Sequence, residues 1–305
     1  MTATAENILI AGTHDFVSPY VYRAAREAFP EETRIWMLGT GPLAGIPADL
    51  SSGRVELPAK MEYVIYTDAT DASQLDHTKL MPIADNLIAS LQQAPPRAFV
   101  YISTAGVYGK TAGDGLAEST PTTPATDFDR AKLAVEQRLT EWCRDNGVAL
   151  AILRPAPVVG TGMGGELRTM VNRIYRATYR HVTGDESRIS VVHATDLASA
   201  AVRLLGAEGI FNVTDGIDPT RHALAEALCS RLDRKRIYSL SAKRMKLIAR
   251  IGDWLPITVY NTRRLKQQTS TLTYDASRLR QALPDWHPSS VTDYLVSHVY
   301  DSSSL

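Results

Sequence analysis

The side chains able to do chemistry sit where short apolar runs of this sequence end. The run Asn7–Ala11 closes on Gly12 and leads through Thr13, Asp15, Phe16 and Val17 to Ser18 and Pro19. A strand that turns through glycine into a helix offers backbone N–H groups to an anion, because the first amides of a helix have no partner inside it. Pro19 suits such a turn, where its missing N–H is not needed. Asp15 places a carboxylate where the anion would lie. At about 5 Å from a phosphate, with an effective dielectric of about 20, it costs on the order of 3 kcal/mol. Used instead to cap the helix, it gains about 1 kcal/mol. Two readings stand: Asp15 repels a bound phosphate, or it replaces the phosphate as the helix's own anion.

Other runs end the same way. Tyr63–Tyr66 is followed by Thr67 and Asp68, and Ala98–Ser103 by Thr104, with Tyr108 four residues on. Lys132 stands four residues after Phe128 in a helical pattern, and Pro155 closes Val148–Leu153. Thr104 either faces a ligand or bonds backbone at its strand end; Lys132 is either part of a site or a solvated cation. His193, at another strand end, reads as structural. No metal site is expected.

The elements that must position these groups alternate. Apolar runs at 7–11, 34–38, 54–57 (a weak third), 63–66, 98–103 and 148–153 read as strands. Phe16, Val17, Tyr20, Val21, Ala24, Ala25, Ala28 and Phe29 form one helical stripe, and 79–92 and 128–145 read as further helices. Strands alternating with helices imply crossovers, hence an α/β fold with a parallel sheet covered on both faces and a ligand crevice at the strands' carboxyl ends. The stretch from Gly39 to Pro58 holds no convincing helix, so that edge of the sheet is expected to be trimmed. Later come a glycine-rich loop (Gly160–Gly165), helices at 167–179 and 221–232, and a strand running into a helix at 191–205. In Ser241–Leu255, Met245, Ile248, Ile251 and Leu255 fall near helical spacing among Lys243, Arg244, Lys246 and Arg250.

The chain has 305 residues, 33 basic and 33 acidic. A zero net charge argues against nucleic acid as partner. Yet 11 basic residues face two acidic ones between Arg231 and Lys266, read first as an ordinary cationic helix face, next as a phosphate grip and, as a minor third reading, as membrane-surface or RNA contact. The two cysteines, Cys143 and Cys229, make no disulfide framework. Met1–Asn7 lacks a signal-peptide pattern, and no apolar run approaches the ~18 residues of a membrane span. A soluble, cytoplasmic protein without membrane contact is expected.

Four segments in order, ILIAGTHDFV (8–17), VYISTAGVYG (100–109), FDRAKLAVEQ (128–137) and the pair LRPAPVVG (153–160) with VHATDLA (192–198), resemble the extended short-chain dehydrogenase/reductases, the NAD-dependent epimerase/dehydratase group. The likeness spans roughly residues 7–215, and 274–286 looks like the family's closing segment. It implies a Rossmann-type doubly wound sheet over 1–155, with 188–215 returning to it, and a smaller substrate lobe from 156–187 and 216–305. It also implies an NAD or NADP cofactor at Gly12, Thr13, Asp15, Phe16, Val17, Thr67, Lys132 and Pro155, and a nucleotide sugar or similar, possibly phosphate-bearing, small carbonyl or alcohol as substrate. The helices at 79–92 and 128–145 look like the family's dimer helices, implying a homodimer. By this resemblance Thr104 is the substrate-polarising hydroxyl and Lys132 the lysine that serves a tyrosine and holds ribose. Phe128 occupies the tyrosine's position and cannot transfer a proton. Asp127, Asp129, Tyr108 and His14 are the candidate substitutes. Asp15 and Ser18 replace two glycines, Asp68 replaces a small apolar residue, and Gly39 and Thr40 stand where an acid or arginine would choose between NAD and NADP. The same departures fit a second reading, a non-catalytic binding, sensing or scaffold protein of that descent.

Overall fold

The structure is a computed structural model that describes residues 6–12, 15–40, 44–69, 73, 75–232, 237–254 and 261–297. In chain order its strands are β1 (Asn7–Ala11), β2 (Arg34–Gly39), β3 (Ile46–Pro47), β4 (Tyr63–Thr67), β5 (Ala98–Ile102), β6 (Gly113–Leu116), β7 (Ala149–Pro155), β8 (Val158–Val159), β9 (Arg180–Val182), β10 (Val192–His193), β11 (Gly209–Val213), β12 (Tyr238–Leu240) and β13 (Leu272–Tyr274). The helices are α1 (Ser18–Ala28), α2 (Leu80–Leu91), α3 (Asp127–Asn146), α4 (Gly165–Tyr175), α5 (Ala194–Arg203), α6 (Arg221–Arg231), α7 (Ala242–Trp254), α8 (Thr262–Gln268), α9 (Ser277–Ala282) and α10 (Val291–Ser297).

Seven strands form one parallel sheet in the order β11-β7-β5-β4-β1-β2-β3. The strands read as apolar runs because both faces are covered. On one face α2 and α3 bury Leu80, Leu87, Val135, Leu139 and Trp142. On the other, α1 and α5 bury Val21, Ala25, Leu197 and Ala201. A third core joins α4, α6 and α10 through Leu167, Met170, Leu224, Leu228, Val291 and Leu295.

Register brings the reactive side chains to one edge. Ala11 pairs with Leu38 and with Tyr66, Thr67 with Ile102, and Ile102 with Leu153. Gly12, Asp68, Thr104 and Pro155 therefore line up beyond the carboxyl ends of neighbouring strands. Helix α3, which carries Lys132, starts at a Thr126 cap whose hydroxyl accepts the Asp129 N–H at 3.1 Å. It ends at Gly147, whose φ of 66° closes the last turn.

The doubly wound fold is as expected, but two local readings need correction. No strand forms at 54–57; the third strand is Ile46–Pro47. Val55 and Leu57 pack against the core beneath α2, and the Val55 N–H donates to Ser90 Oγ at 2.8 Å, so a helix side chain takes the place of a ladder partner. Among the described residues no helix lies between β2 and β4, so that edge is trimmed. The helix expected over 167–179 stops at Tyr175 because Ala177 takes a left-handed φ of 54° and the Tyr179 N–H turns back to the Arg173 carbonyl at 3.0 Å. Of the residues noted at helical spacing in α7, Met245 is buried with Ala249 and Gly252, while Ile248 and Ile251 are exposed. Leu255 lies outside the described residues, as do 233–236 of the basic segment.

Gly12 shows how closely β1 and β4 approach. Its φ is +125°, and a Cβ there would lie 1.2 Å from the Thr67 carbonyl oxygen. Gly12→Ala is expected to lower stability by about 3 kcal/mol or more, read from the urea midpoint. An unchanged midpoint would show that the two strands can separate freely at this point.

Candidate functional site

The turn after β1 is built around Asp15, not around an open cradle. Its Oδ1 accepts the Val17 N–H at 2.7 Å, just before α1 begins. The carboxylate thus takes one of the amides that a phosphate would need. The residue is 6% exposed, and its Oδ2 has no hydrogen-bond partner among the described residues. Burial pushes its pKa up to about 7, against the opposing pull of the Val17 N–H and the Lys132 charge; Asp68 adds to the rise. Ser18 Oγ bonds the Gly12 carbonyl and shares a 2.8 Å hydrogen bond with Thr67 Oγ1. Thr13 and His14 lie outside the described residues.

Phe16 turns toward the glycine-rich loop. A Cβ at Gly162 would meet Phe16 Cβ at 2.8 Å, and one at Gly160 would meet the Phe16 ring at 3.1 Å. Tyr20 Oη also accepts the Thr161 N–H at 3.0 Å. These two glycines make room for an aromatic side chain of this chain.

Lys132 is not a solvated cation: its side chain is wholly buried. Its ammonium donates to Asp68 Oδ1, to the Ala69 carbonyl at 2.9 Å and to the Ile102 carbonyl at 2.9 Å. An ammonium has three N–H donors, so all are occupied. Nζ also lies 4.7 Å from the Tyr101 ring centroid. Asp68 accepts the Ala69 N–H at 2.7 Å on Oδ1 and the Tyr101 hydroxyl at 3.0 Å on Oδ2. Burial, followed by the Asp68 charge, holds the Tyr101 phenol well above its usual range, so it stays a donor.

Thr104 caps a short turn (Ala105–Tyr108), its Oγ1 accepting the Gly106 N–H at 3.0 Å. Phe128 is 6% exposed and packed in the core beneath α3. Of the candidate substitutes, Tyr108 is locked: it donates to Asn212 Oδ1 at 2.7 Å beneath the Arg154 guanidinium. Asp127 is exposed and ion-paired with Arg130 at 2.5 Å. Asp129 is the one brought beside Thr104, since a Cβ at Gly106 would lie 2.1 Å from Asp129 Oδ1 and 3.3 Å from Thr104 Oγ1. Pro155 is buried at the end of β7. Beside it Arg154 forms a two-pronged pair with Glu136, at 3.1 and 2.6 Å, that ties β7 to α3. His193 is structural: Nδ1 accepts the Thr195 N–H at 3.2 Å and caps α5.

Sequence reasoning missed two groups. Tyr274 is buried and stacked on Tyr108 at 5.9 Å, within the fields of Asp129, Arg221 and Glu166. Burial raises its phenol far above the usual range. Arg221 opens α6 at 4% exposure, with Nη1 3.5 Å from Glu166 Oε1 and with Nε and Nη1 lacking hydrogen bonds among the described residues. Near it a cavity of about 250 Å³ is lined by Glu166, Thr169, Arg173, Arg264, Gln267 and Gln268. At the other end, the space bounded by Gly12, Leu38, Gly39, Asp49, Leu50 and Asp68 measures only about 20 Å³, room for about one water.

Comparison with known proteins agrees with this architecture. The model of the NAD dependent epimerase/dehydratase family matches residues 9–214. An uncharacterised protein of Sinorhizobium fredii is 34% identical over 112 residues, 36% of this chain but only 28% of that relative's own length. Among solved structures, RMD from Pseudomonas aeruginosa complexed with NADPH aligns with a TM-score of 0.69 at 20% identity, covering 96% of this chain and 97% of that one. UDP-glucose 4-epimerase of Thermotoga maritima, with UDP-glucose, aligns with a TM-score of 0.69 at 17% identity and the same coverage.

Two outcomes follow from the burial of these charges. Asp15 binds a proton more tightly when folded, so its cost to stability grows as pH rises from about 4 to about 7 and then levels. Asp15→Asn is therefore expected to raise Tm more at pH 8 than at pH 5; an equal gain at both would remove the buried-carboxyl argument. Lys132→Met leaves Asp68 buried without its cation and is expected to cost roughly 3–5 kcal/mol, most of which Lys132→Met/Asp68→Leu recovers. Additive losses in urea titrations would show that the two side chains act independently.

Proposed function

Because the chain belongs to the NAD-dependent epimerase/dehydratase family, we propose that it is an epimerase/dehydratase-like protein for a nucleotide sugar or similar small carbonyl or alcohol, with an atypical active site. The smaller lobe, 156–187 with 216–305, is the substrate side. Arg173, Arg221 and Arg264 suit a diphosphate there, since guanidinium groups bond phosphate oxygens in pairs. Thr104, with Asp129 beside it, is the polar centre next to which a carbonyl or hydroxyl would lie. A homodimer through α2 and α3, in the cytoplasm, belongs to the same reading. Among the described residues no helix is long and apolar enough to cross a membrane.

A nicotinamide dinucleotide does not fit the crevice as its side chains stand. Lys132 has no free N–H for ribose, and Asp15 holds the Val17 amide. NAD or NADP must displace these contacts, so it is held weakly. No hydride step is assigned. The internal saturation of Lys132 is the observation that carries this reading. It equally favours a non-catalytic binding, sensing or scaffold protein, and activity separates the two.

The decisive experiment is calorimetric titration with NAD⁺, NADH, NADP⁺, NADPH and UDP-glucose, alongside turnover assays on nucleotide sugars. UDP-glucose is expected to bind, and Asp15→Gly to tighten dinucleotide binding at least tenfold. Phe128→Tyr alone is expected to restore no turnover, because Lys132 remains tied to Asp68. Submicromolar dinucleotide binding with strong turnover by the natural protein would overturn the atypical site. Absence of UDP-glucose binding would remove the substrate class.

A further inference from the structure

Helix α7 has two apolar faces and only one of them is covered. Met245, Ala249 and Gly252 are buried, and the first two pack with Leu265 of α8. Leu247, Ile251 and Trp254 repeat the same i, i+4, i+7 spacing two residues further on, which rotates them about 200° to the opposite side. They are 60%, 54% and 88% exposed, and Ile248 beside them is 38% exposed.

Cations border this stripe. At about 100° per residue, Lys243 and Arg250 fall along one side of it and Arg244 along the other, with Lys246 beyond. All four are exposed, and among the described residues none forms an ion pair with an acid. Arg263, Arg264 and Lys266 follow on α8, giving seven basic residues between 237 and 268 against one acid, Asp253. That acid is exposed but engaged within the chain, its carboxylate accepting the Thr262 N–H at 2.9 Å and the Thr262 hydroxyl at 2.5 Å.

We propose that this outer face of α7 docks the protein on an anionic phospholipid surface. The arrangement matches what a bilayer interface offers. Apolar side chains enter the acyl boundary, a tryptophan sits at headgroup depth, and flanking lysines and arginines reach phosphate on both sides. A second copy is a poor occupant, since two-fold pairing of the stripe would set one row of cations against the other. An acidic protein could answer the charge but would need a groove around a protruding tryptophan; a fluid surface needs no such shape. The protein would lie on the membrane without crossing it, and the crevice plays no part in the contact.

The test is co-sedimentation of the full chain with vesicles of phosphatidylcholine alone or with about 30% phosphatidylglycerol, together with tryptophan emission. Binding at least tenfold stronger to the anionic vesicles is expected, weakened by salt and accompanied by a blue shift. Trp254→Ala/Ile251→Ser is expected to abolish the blue shift and cut binding at least tenfold, and Lys243→Glu/Arg250→Glu to remove the preference for anionic lipid. All four positions are exposed, and circular dichroism should be unchanged. No vesicle binding, or binding indifferent to both variants, would overturn the proposal. So would concentration-dependent dimers that dissociate in the Trp254→Ala/Ile251→Ser variant, or an acidic protein competing for α7 where vesicles do not bind.

Discussion

A buried ammonium sets the terms for the crevice. Removing such a charge from water costs several kcal/mol even after the protein relaxes, and Lys132 is wholly buried. It is tolerated because each of its three N–H bonds has an acceptor and one acceptor is a carboxylate. That carboxylate is met in turn by the Ala69 amide and the Tyr101 hydroxyl. The arrangement rests on the register of β4 against β5, with Thr67 opposite Ile102. A slip of one residue would carry Asp68 to the other face of the sheet and leave the lysine unanswered. Sheet register, helix α3 and the crevice's electrostatics are thus one problem with one solution.

Asp15 adds a second carboxylate, and its protonation decides what an incoming anion meets. Below about pH 7 Asp15 is largely neutral, and the Lys132–Asp68 pair leaves the floor of the crevice without net charge. Above that pH the floor is negative. Neither state attracts phosphate. Arg221, whose guanidinium faces Glu166, and the arginine-lined cavity belong instead to α4, α6 and α8. Among the described residues, the basic side chains that line a cavity are therefore not those of the turn after β1.

How much of this was legible in the sequence depended on distance along the chain. Strand ends were readable from apolar runs, and α3 runs within one residue of 128–145 at each end because Thr126 and Gly147 are local signals. Thr104 and Lys132 could be singled out by spacing. What Lys132 does could not, because Asp68 lies 64 residues away and only the sheet brings the two together. Val55 and Leu57 alternate like a strand, but that period also suits an extended segment resting on α2. In α7, apolar residues occur on both faces, so periodicity alone could not say which one Leu265 would cover. Tyr274, at the head of 274–286, and Arg221, at the start of a helical pattern, were not singled out because nothing local ties them to the strand ends; their places follow from β13 pairing with β6 and from α6 packing on α4.

Phe128 and Asp68 bear on the same lysine. In the arrangement the family resemblance implies, a lysine at position 132 works against a tyrosine four residues earlier and a bound ribose. Phenylalanine at 128 offers the lysine no hydrogen bond, and without Asp68 the buried ammonium would face no anion. Such a charge either loses its proton or destabilises the fold. Asp68 supplies the missing anion, and Tyr101 supplies the donor that Asp68 then requires. Restoring the phenol without removing Asp68 leaves the lysine engaged. Removing Asp68 without giving Lys132 a new partner leaves the lysine stranded. Both single changes meet the same desolvation cost, which ties the lysine and the aspartate to one another.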